Sequence, residues 1–314
     1  MYRRSTIRRW VVLLCLGISG SGVLGQEAPE PKPVPRLQIV PQPYDQASFQ
    51  RDGVEITRYH FGPELERPFL FPVIGPAGRS LTRMGHPHDP ESHSHHNSVW
   101  ITHHDVEGVN FWTDRRDGTI RHKRIVEYVD EGERSTIVSE NEWVSREGKV
   151  LLDETRRTTV ELLDGDEWLL TIDATFAARD EPVTLGKTPF GMIGVRMAKT
   201  IGVHDGGGRI RNSEGDVNEK AVFWKRARWV DYSGAIAPDA LEGVTLFDHP
   251  ENPNHPSHFH VRNDGWMGAS LTFEGPREIE PDKPLRLRYG LYVHAGRKPP
   301  TQIESQWKRF AETP

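Results

Sequence analysis

Apolar and polar residues alternate with a period of two along most of the chain. Between residues 285 and 293, every second position is leucine, tyrosine or valine, and Arg286 and Arg288 stand between them. Such alternation predicts a β-strand with one buried face and one polar face. Residues 170–176 follow the same pattern. Similar strand-like runs occur at 98–106, 120–129, 134–144, 149–163, 191–197, 221–232 and 267–273.

Short turn-forming segments separate several of these runs, as at 130–133, 146–149 and 164–166. Because strands follow one another without helical patterns between them, the sequence predicts an all-β fold, an antiparallel β-sandwich. The C-terminal segment is the exception. There Ile303, Trp307 and Phe310 fall on roughly one helical face, with Thr301 as a candidate N-cap. We therefore expect a β-sandwich with a short C-terminal helix.

The N-terminal residues predict export. Four arginines precede an apolar segment at 10–18, and small residues follow up to Gly25, so residues 1–25 are a predicted signal peptide. Residues 26–43 contain six prolines and are predicted to be an extended linker, followed by a single β-sandwich domain over 44–314. No other apolar run approaches the ~20 residues of a membrane helix. We expect a secreted or periplasmic protein with no stable membrane span after signal cleavage.

Composition and charge narrow the range of functions. The one cysteine, Cys15, lies within the predicted signal peptide, so the mature chain has no disulfide and no thiol nucleophile. Without the four signal arginines, the formal net charge falls from −5 to −9. A negative chain lacks the basic surface that nucleic acids require, so we expect no nucleic-acid partner.

Histidine is the main chemical signal. Of the fifteen histidines, seven lie between residues 86 and 104 and four between 249 and 260. Two residues apart on an extended segment, His93 and His95 share a face, and so do His258 and His260. Such pairs bind transition metals and also transfer protons near neutral pH. His93, His95 and His260 are therefore candidate ligands of a divalent metal ion (Zn, Fe, Mn, Cu or Ca), and a metal-free acid–base site is the alternative.

Three segments also resemble one bacterial family. The first is His93-Ser-His-His-Asn-Ser-Val-Trp followed by residues 103–112, the second is residues 224–234, and the third is residues 243–253 with 258–262. In order and spacing, they resemble a secreted family of unknown function that is often labelled methane oxygenase PmoA, the PmoA-like family. The resemblance spans roughly residues 50–296. Asn97 stands where that family usually has an arginine, and His104 where it usually has a glycine.

The methane oxygenase label does not suit this chain, because the membrane subunit of that enzyme needs several spanning helices. The resemblance implies instead a secreted β-sandwich with kinship to galactose-mutarotase-like supersandwiches. It implies a carbohydrate-active protein that acts on a sugar or glycan by histidine and carboxylate acid–base chemistry, as an epimerase, lyase or hydrolase. Two alternatives stay open: a metal-dependent oxidoreductase or hydrolase with a histidine-rich site, and a non-catalytic glycan-binding protein.

A mutarotase-like mechanism assigns a role to each candidate residue. One histidine protonates the ring oxygen, while a carboxylate or second histidine takes a proton from the anomeric hydroxyl. The candidates for the acid are His96 and His103, and those for the base or its orienting partner are Asp105 and His258. Candidate substrate-binding residues are Trp100 for ring stacking, Arg196 and Arg262 for bidentate contacts, and His249 and Asn252 on a proline-rich loop.

Overall fold

Strands make up most of the structure, a computed structural model that describes residues 33–89, 91–115 and 117–313. The predicted signal peptide and the first part of the predicted linker lie outside the described residues. The helices are α1 (Val203–Gly206), α2 (Asn218–Val222) and α3 (Pro300–Glu312). The strands are β1 (Leu37–Gln42), β2 (Gln46–Arg51), β3 (Val54–His60), β4 (Phe69–Val73), β5 (Val99–His103), β6 (Gly118–Glu131), β7 (Arg134–Ser145), β8 (Val150–Leu162), β9 (Trp168–Ala177), β10 (Val183–Leu185), β11 (Gly191–Arg196), β12 (Arg209–Asn212), β13 (Lys225–Arg226), β14 (Trp229–Ala237), β15 (Ala240–Asp248), β16 (His258–Arg262), β17 (Trp266–Ser270), β18 (Arg277–Ile279) and β19 (Leu285–Ala295).

These strands form two large antiparallel sheets. The first sheet has the order β1-β2-β3-β4-β5-β11-β17-β16-β13, and the second has the order β12-β14-β15-β19-β9-β8-β7-β6. Strands β10 and β18 pair separately. Ile101 and Ile193 of the first sheet belong to the same buried apolar cluster as Trp168 and Leu291 of the second. The two sheets therefore pack face to face, and the predicted antiparallel β-sandwich with a C-terminal helix is confirmed.

The period-two pattern predicted most of the strands correctly, but the run over 221–232 is not one continuous strand. This segment contains the end of α2, the two-residue strand β13 and the start of β14. Trp224 separates α2 from β13, and its φ of 57° lies in the left-handed region, where a strand cannot continue. The apolar residues of this segment therefore come from a helix end and a turn as well as from strands, and their spacing resembles that of one strand only by coincidence.

The folded domain also starts earlier than predicted. Strand β1 lies inside the predicted linker and pairs along its whole length with β2. Leu37 and Ile39 are buried and so anchor the strand. Pro41 is tolerated because β1 is at the edge of its sheet, where one row of N–H groups has no strand partner. Residues Pro35–Pro314 form one compact unit.

Helix α3 packs on the outer face of the second sheet. Ile303 and Phe310 are buried in a cluster with Phe247 and Tyr292, which accounts for the predicted apolar face. Thr301 is not the N-cap, because the helix starts at Pro300, whose missing N–H costs nothing in the first turn. None of the helices in the described part of the chain is long and apolar enough to cross a membrane.

Candidate functional site

A cavity of about 780 Å³ opens on the outer face of the first sheet. Along β11 the side chains alternate, so that Ile193 and Val195 enter the core while Arg196 lines the cavity. The cavity is rich in imidazole. Its histidines are His86, His93, His95, His96, His104, His204 and His260. We call it the histidine cavity.

Three indoles lie beneath these histidines: Trp100, Trp112 and Trp266 are buried together and form the tryptophan cluster. His96 packs against two of them, with its ring centroid 5.6 Å from that of Trp100 and 5.3 Å from that of Trp266. Gly194 pairs with Trp100 on the neighbouring strand. A Cβ at Gly194 would lie 2.7 Å from Trp100 Cζ2 and 2.8 Å from Trp266 Cη2, so only glycine leaves room for the cluster.

We expect Gly194→Ala to destabilise the protein by about 1–3 kcal/mol, because the added methyl group must displace buried indoles. Gly275→Ala is the matched control, since a Cβ at that position would meet no atom within 4 Å. Urea unfolding followed by tryptophan fluorescence measures both. Equal midpoints for the two variants would contradict the packing described for Gly194.

Burial keeps the stacked histidine neutral. His96 is 7% exposed, and its Nδ1 is buried without a hydrogen-bond partner in the described structure. Burial lowers the pKa of His96, with the nearby His95 and Arg196 acting in the same direction. His96 is in the cavity as predicted. Burial favours its neutral ring over the imidazolium that a general acid would need.

Arg196 and Asp264 form the charged centre of the cavity. Arg196 is fully buried, and its Nη1 donates to Asp264 Oδ1 at 3.0 Å. Its Nε and Nη2 are buried without partners among the described residues. Burial lowers the pKa of Arg196, and Asp264 opposes that shift. Two unsatisfied donors on a buried cation are costly, and an anionic or hydroxylated ligand would relieve that cost.

Asp264 also fixes the ring of His86. His86 Nδ1 accepts hydrogen bonds from the backbone N–H groups of His88 at 3.0 Å and Asp89 at 3.1 Å. Its other nitrogen, Nε2, therefore carries the proton and donates to Asp264 Oδ2 at 2.8 Å. Burial raises the pKa of Asp264, but Arg196 and His86 outweigh it, so this pKa is lowered overall. His86 thus holds Asp264 in place and has no free nitrogen for chemistry.

His93 has the arrangement of a general base. Its Nδ1 lies 2.9 Å from both Asp89 Oδ2 and Ser92 Oγ. Because the Ser92 hydroxyl donates to Asp89, Nδ1 carries the proton and the lone pair is on Nε2. Hydrogen bonds from the Ser92 hydroxyl and backbone N–H lower the pKa of Asp89 to about 2, so Asp89 is ionised at neutral pH. The ring of His93 lies 4.6 Å from that of His86 and 5.0 Å from that of His96, between centroids.

His260 and Arg262 also line the cavity. Both ring nitrogens of His260 are buried and lack partners among the described residues, and burial lowers its pKa to about 4. Arg262 is half-exposed and donates to Glu219 Oε1 at 2.8 Å. His95 is a further histidine of the cavity whose neutral form is favoured, because burial and the nearby Arg67 lower its pKa to about 4.

The structure places His103 and Asp105 outside the cavity. His103 points to the core side of β5 and is fully buried. Its Nδ1 accepts a hydrogen bond from Asp105 N at 3.1 Å, and its Nε2 lies 2.9 Å from Thr272 Oγ1. Asp105 Oδ1 accepts from Gly108 N at 2.9 Å and closes a turn. His104, the next residue, has its side chain on the other face of the sheet and lines the cavity.

The other four predicted site residues also lie away from the cavity. Trp100 is buried beneath it, and His258 stacks on Phe273 at 4.4 Å between ring centroids. His249 packs edge-on against Phe310 of α3. Asn252 donates to Asp248 Oδ1 and to Arg288 O, and accepts from Arg288 N, so its amide is engaged in holding a loop. The structure does bring together His93, His95, His96, Arg196, His260 and Arg262.

The predicted metal ligands do not form one coordination group. His93 and His95 are neighbours, with ring centroids 5.7 Å apart, whereas His260 contacts Phe190, Phe223 and Trp266. Across residues 33–89, 91–115 and 117–313, no three histidine, cysteine or acidic side chains are positioned to share an ion.

These features define an antiparallel β-sandwich protein with a histidine-lined cavity on one sheet. The chain belongs to a family of unknown function (DUF6807), whose model matches residues 46–308. Membership in a family of unknown function is thus confirmed. The resemblance to the PmoA-like family and the export of the protein stay predictions. The comparison with curated proteins found no match.

Solved structures show only distant similarity. Heparan sulfate lyase HepC from Pedobacter heparinus is 9% identical with a TM-score of 0.32, over 81% of this chain and 34% of that one. A GalM/aldose epimerase homologue from C. elegans is 7% identical with a TM-score of 0.33, over 83% and 99% of the two chains. A TPR-domain protein from Parabacteroides distasonis is 9% identical with a TM-score of 0.32, over 83% and 49%. This chain therefore spans about a third of the length of the lyase.

Proposed function

We propose that this protein is a secreted or periplasmic carbohydrate-active enzyme that removes a proton from a sugar, as an epimerase or a lyase. One observation carries the proposal: His93, oriented by Asp89, lines the same cavity as Arg196, a buried cation with two donors that have no partner among the described residues. A base and an anion-stabilising group on one cavity are what proton abstraction next to a carboxylate requires.

Contacts connect the two groups across the cavity. The ring of His93 lies against His86, His86 donates to Asp264, and Asp264 accepts from Arg196. In the proposed step, the sugar proton moves to His93 Nε2, and the Asp89 carboxylate stabilises the resulting imidazolium through Nδ1–H. Arg196 stabilises the negative charge that develops on the sugar.

The cavity chemistry favours proton abstraction over hydrolysis. A glycosidase needs two carboxyl groups that flank the scissile bond. The two carboxylates lining the cavity are both engaged, since Asp264 binds Arg196 and His86, and Glu219 binds Arg262 and Asn263 N. The histidine cavity instead supplies neutral imidazoles and aromatic surface, which suit a hydroxyl-rich ring.

The proposal predicts turnover that exchanges or eliminates a sugar proton. The chain over 26–314 is incubated in D₂O with glucuronate, galacturonate, polygalacturonate, alginate, glucuronoxylan and laminarin. We expect deuterium incorporation detected by NMR, or an unsaturated product detected by ultraviolet absorbance, with at least one uronate-containing compound. Arg196→Met should abolish it. Release of reducing ends without either signal would identify a hydrolase, and binding without turnover would identify a glycan-binding protein; both would overturn the proposal.

A further inference from the structure

One tryptophan lies at the rim of the histidine cavity with its ring exposed. Trp224 is 43% exposed, whereas Trp100, Trp112 and Trp266 beneath the cavity are at most 4% exposed. A large indole in contact with water is a poor contributor to the core and a good surface for a ligand. The exposed part of the Trp224 ring is therefore open to a ligand.

The backbone holds this indole in a fixed position. Trp224 directly precedes β13, the strand at the edge of the first sheet. Its backbone N–H donates to Phe259 O at 2.8 Å. The residue has a φ of 57°, which a bulky side chain rarely adopts. Its ring stacks on Phe223 with centroids 4.4 Å apart and lies 5.3 Å from Phe273. One aromatic surface is thus supported from below and presented outward.

The aromatic surface of Trp224 is continuous with the cavity. Phe223 lies 5.2 Å from His260 between ring centroids, and the Arg262 guanidinium lies 4.9 Å above the ring of Phe223. His260 and Arg262 both line the cavity. A molecule held in the cavity and extending past His260 would meet Trp224 next, with the Arg262–Glu219 ion pair beside it.

We propose that Trp224 is a stacking platform for a second sugar unit, so that the substrate is an oligosaccharide or polysaccharide rather than a single sugar. The inference rests on the proposed function, because it takes the unit in the cavity to be a sugar. The apolar C–H face of a pyranose packs on the indole, and the hydroxyl groups of the sugar reach Arg262 and Glu219. Ligand sites commonly combine an aromatic surface with a few polar groups in this way.

Binding to polymers and to single sugars tests the proposal. Wild type, Trp224→Gln and Trp224→Phe are run in affinity gels containing polygalacturonate, alginate, glucuronoxylan or laminarin, and are titrated calorimetrically with galacturonate, glucuronate and glucose. We expect Trp224→Gln to bind the retarding polymer about tenfold more weakly, a loss typical of one aromatic stacking contact. Trp224→Phe should recover most of the affinity, and single sugars should bind all three proteins equally.

Tyr128→Gln is the matched control, because Tyr128 is 40% exposed on β6 of the other sheet. Equal polymer affinity of wild type and Trp224→Gln would overturn the platform while leaving the proposed function intact. If wild type binds and converts no carbohydrate, both proposals fail. If Trp224→Gln changes only the self-association of the chain in sedimentation, the exposed indole is a contact between copies and the platform is wrong.

Discussion

Replacing His93 with alanine should reduce kcat by about 10²–10⁴-fold on the sugar that the deuterium screen identifies, the usual contribution of a positioned general base. KM should change little, because His93 is one of many groups on the wall of the cavity. We expect the loss in kcat because the hydrogen bond from His93 Nδ1 to Asp89 leaves Nε2 free to accept the substrate proton. Initial rates across a range of substrate concentrations separate kcat from KM.

His88→Ala is the matched control for this loss. His88 is in the same loop, but its Nε2 bonds Asp205 at 2.8 Å and its half-exposed side chain does not line the cavity. Asp89→Asn should give an intermediate loss, because an amide can hold the ring but does not stabilise the imidazolium. A His93→Ala enzyme with the kcat of the wild type would exclude His93 as the base.

The β-sandwich could be predicted from the sequence, because a strand with one buried face has apolar and polar residues in alternation. Leu285, Leu287 and Tyr289 are buried on one face of β19, as their alternation with Arg286 and Arg288 predicts. The same alternation gives two faces for β5 but does not say which one meets the core. Both faces of that strand are buried, one by the second sheet and one by the tryptophan cluster, so His103 and His104 could not be ranked.

The candidate site could be predicted only where its residues cluster in sequence. His93, His95 and His96 are neighbours along the chain, and a histidine-rich window is visible in composition. Asp264, in contrast, is a single aspartate in an Asn-Asp-Gly turn, and its role comes from lying 3.0 Å from Arg196, 68 residues away. The tryptophan cluster likewise depends on sheet register, which brings Gly194 opposite both Trp100 and Gly268.

Acidification from pH 6.5 to 4 should destabilise the protein by several kcal/mol. Burial lowers the pKa of His95, His103 and His260 to about 4 in the folded protein, against about 6.5 in the unfolded chain. Between these values the unfolded state binds more protons, so stability is complete above pH 6.5 and falls as the pH drops to 4. Each such shift corresponds to about 3 kcal/mol, large against a total stability of about 5–15 kcal/mol. Urea unfolding at a series of pH values measures the slope.

His103 should contribute a separable part of this slope, because its surroundings admit only the neutral ring. Its Nδ1 accepts from the backbone N–H of Asp105, and an imidazolium has no lone pair for that bond. His103→Gln keeps a donor near Thr272 but cannot titrate. We expect it to be less stable than wild type at pH 7 and to lose about 3 kcal/mol less between pH 6.5 and 4. If wild type and His103→Gln showed the same pH dependence, His103 would not be the neutral, buried group that its contacts indicate.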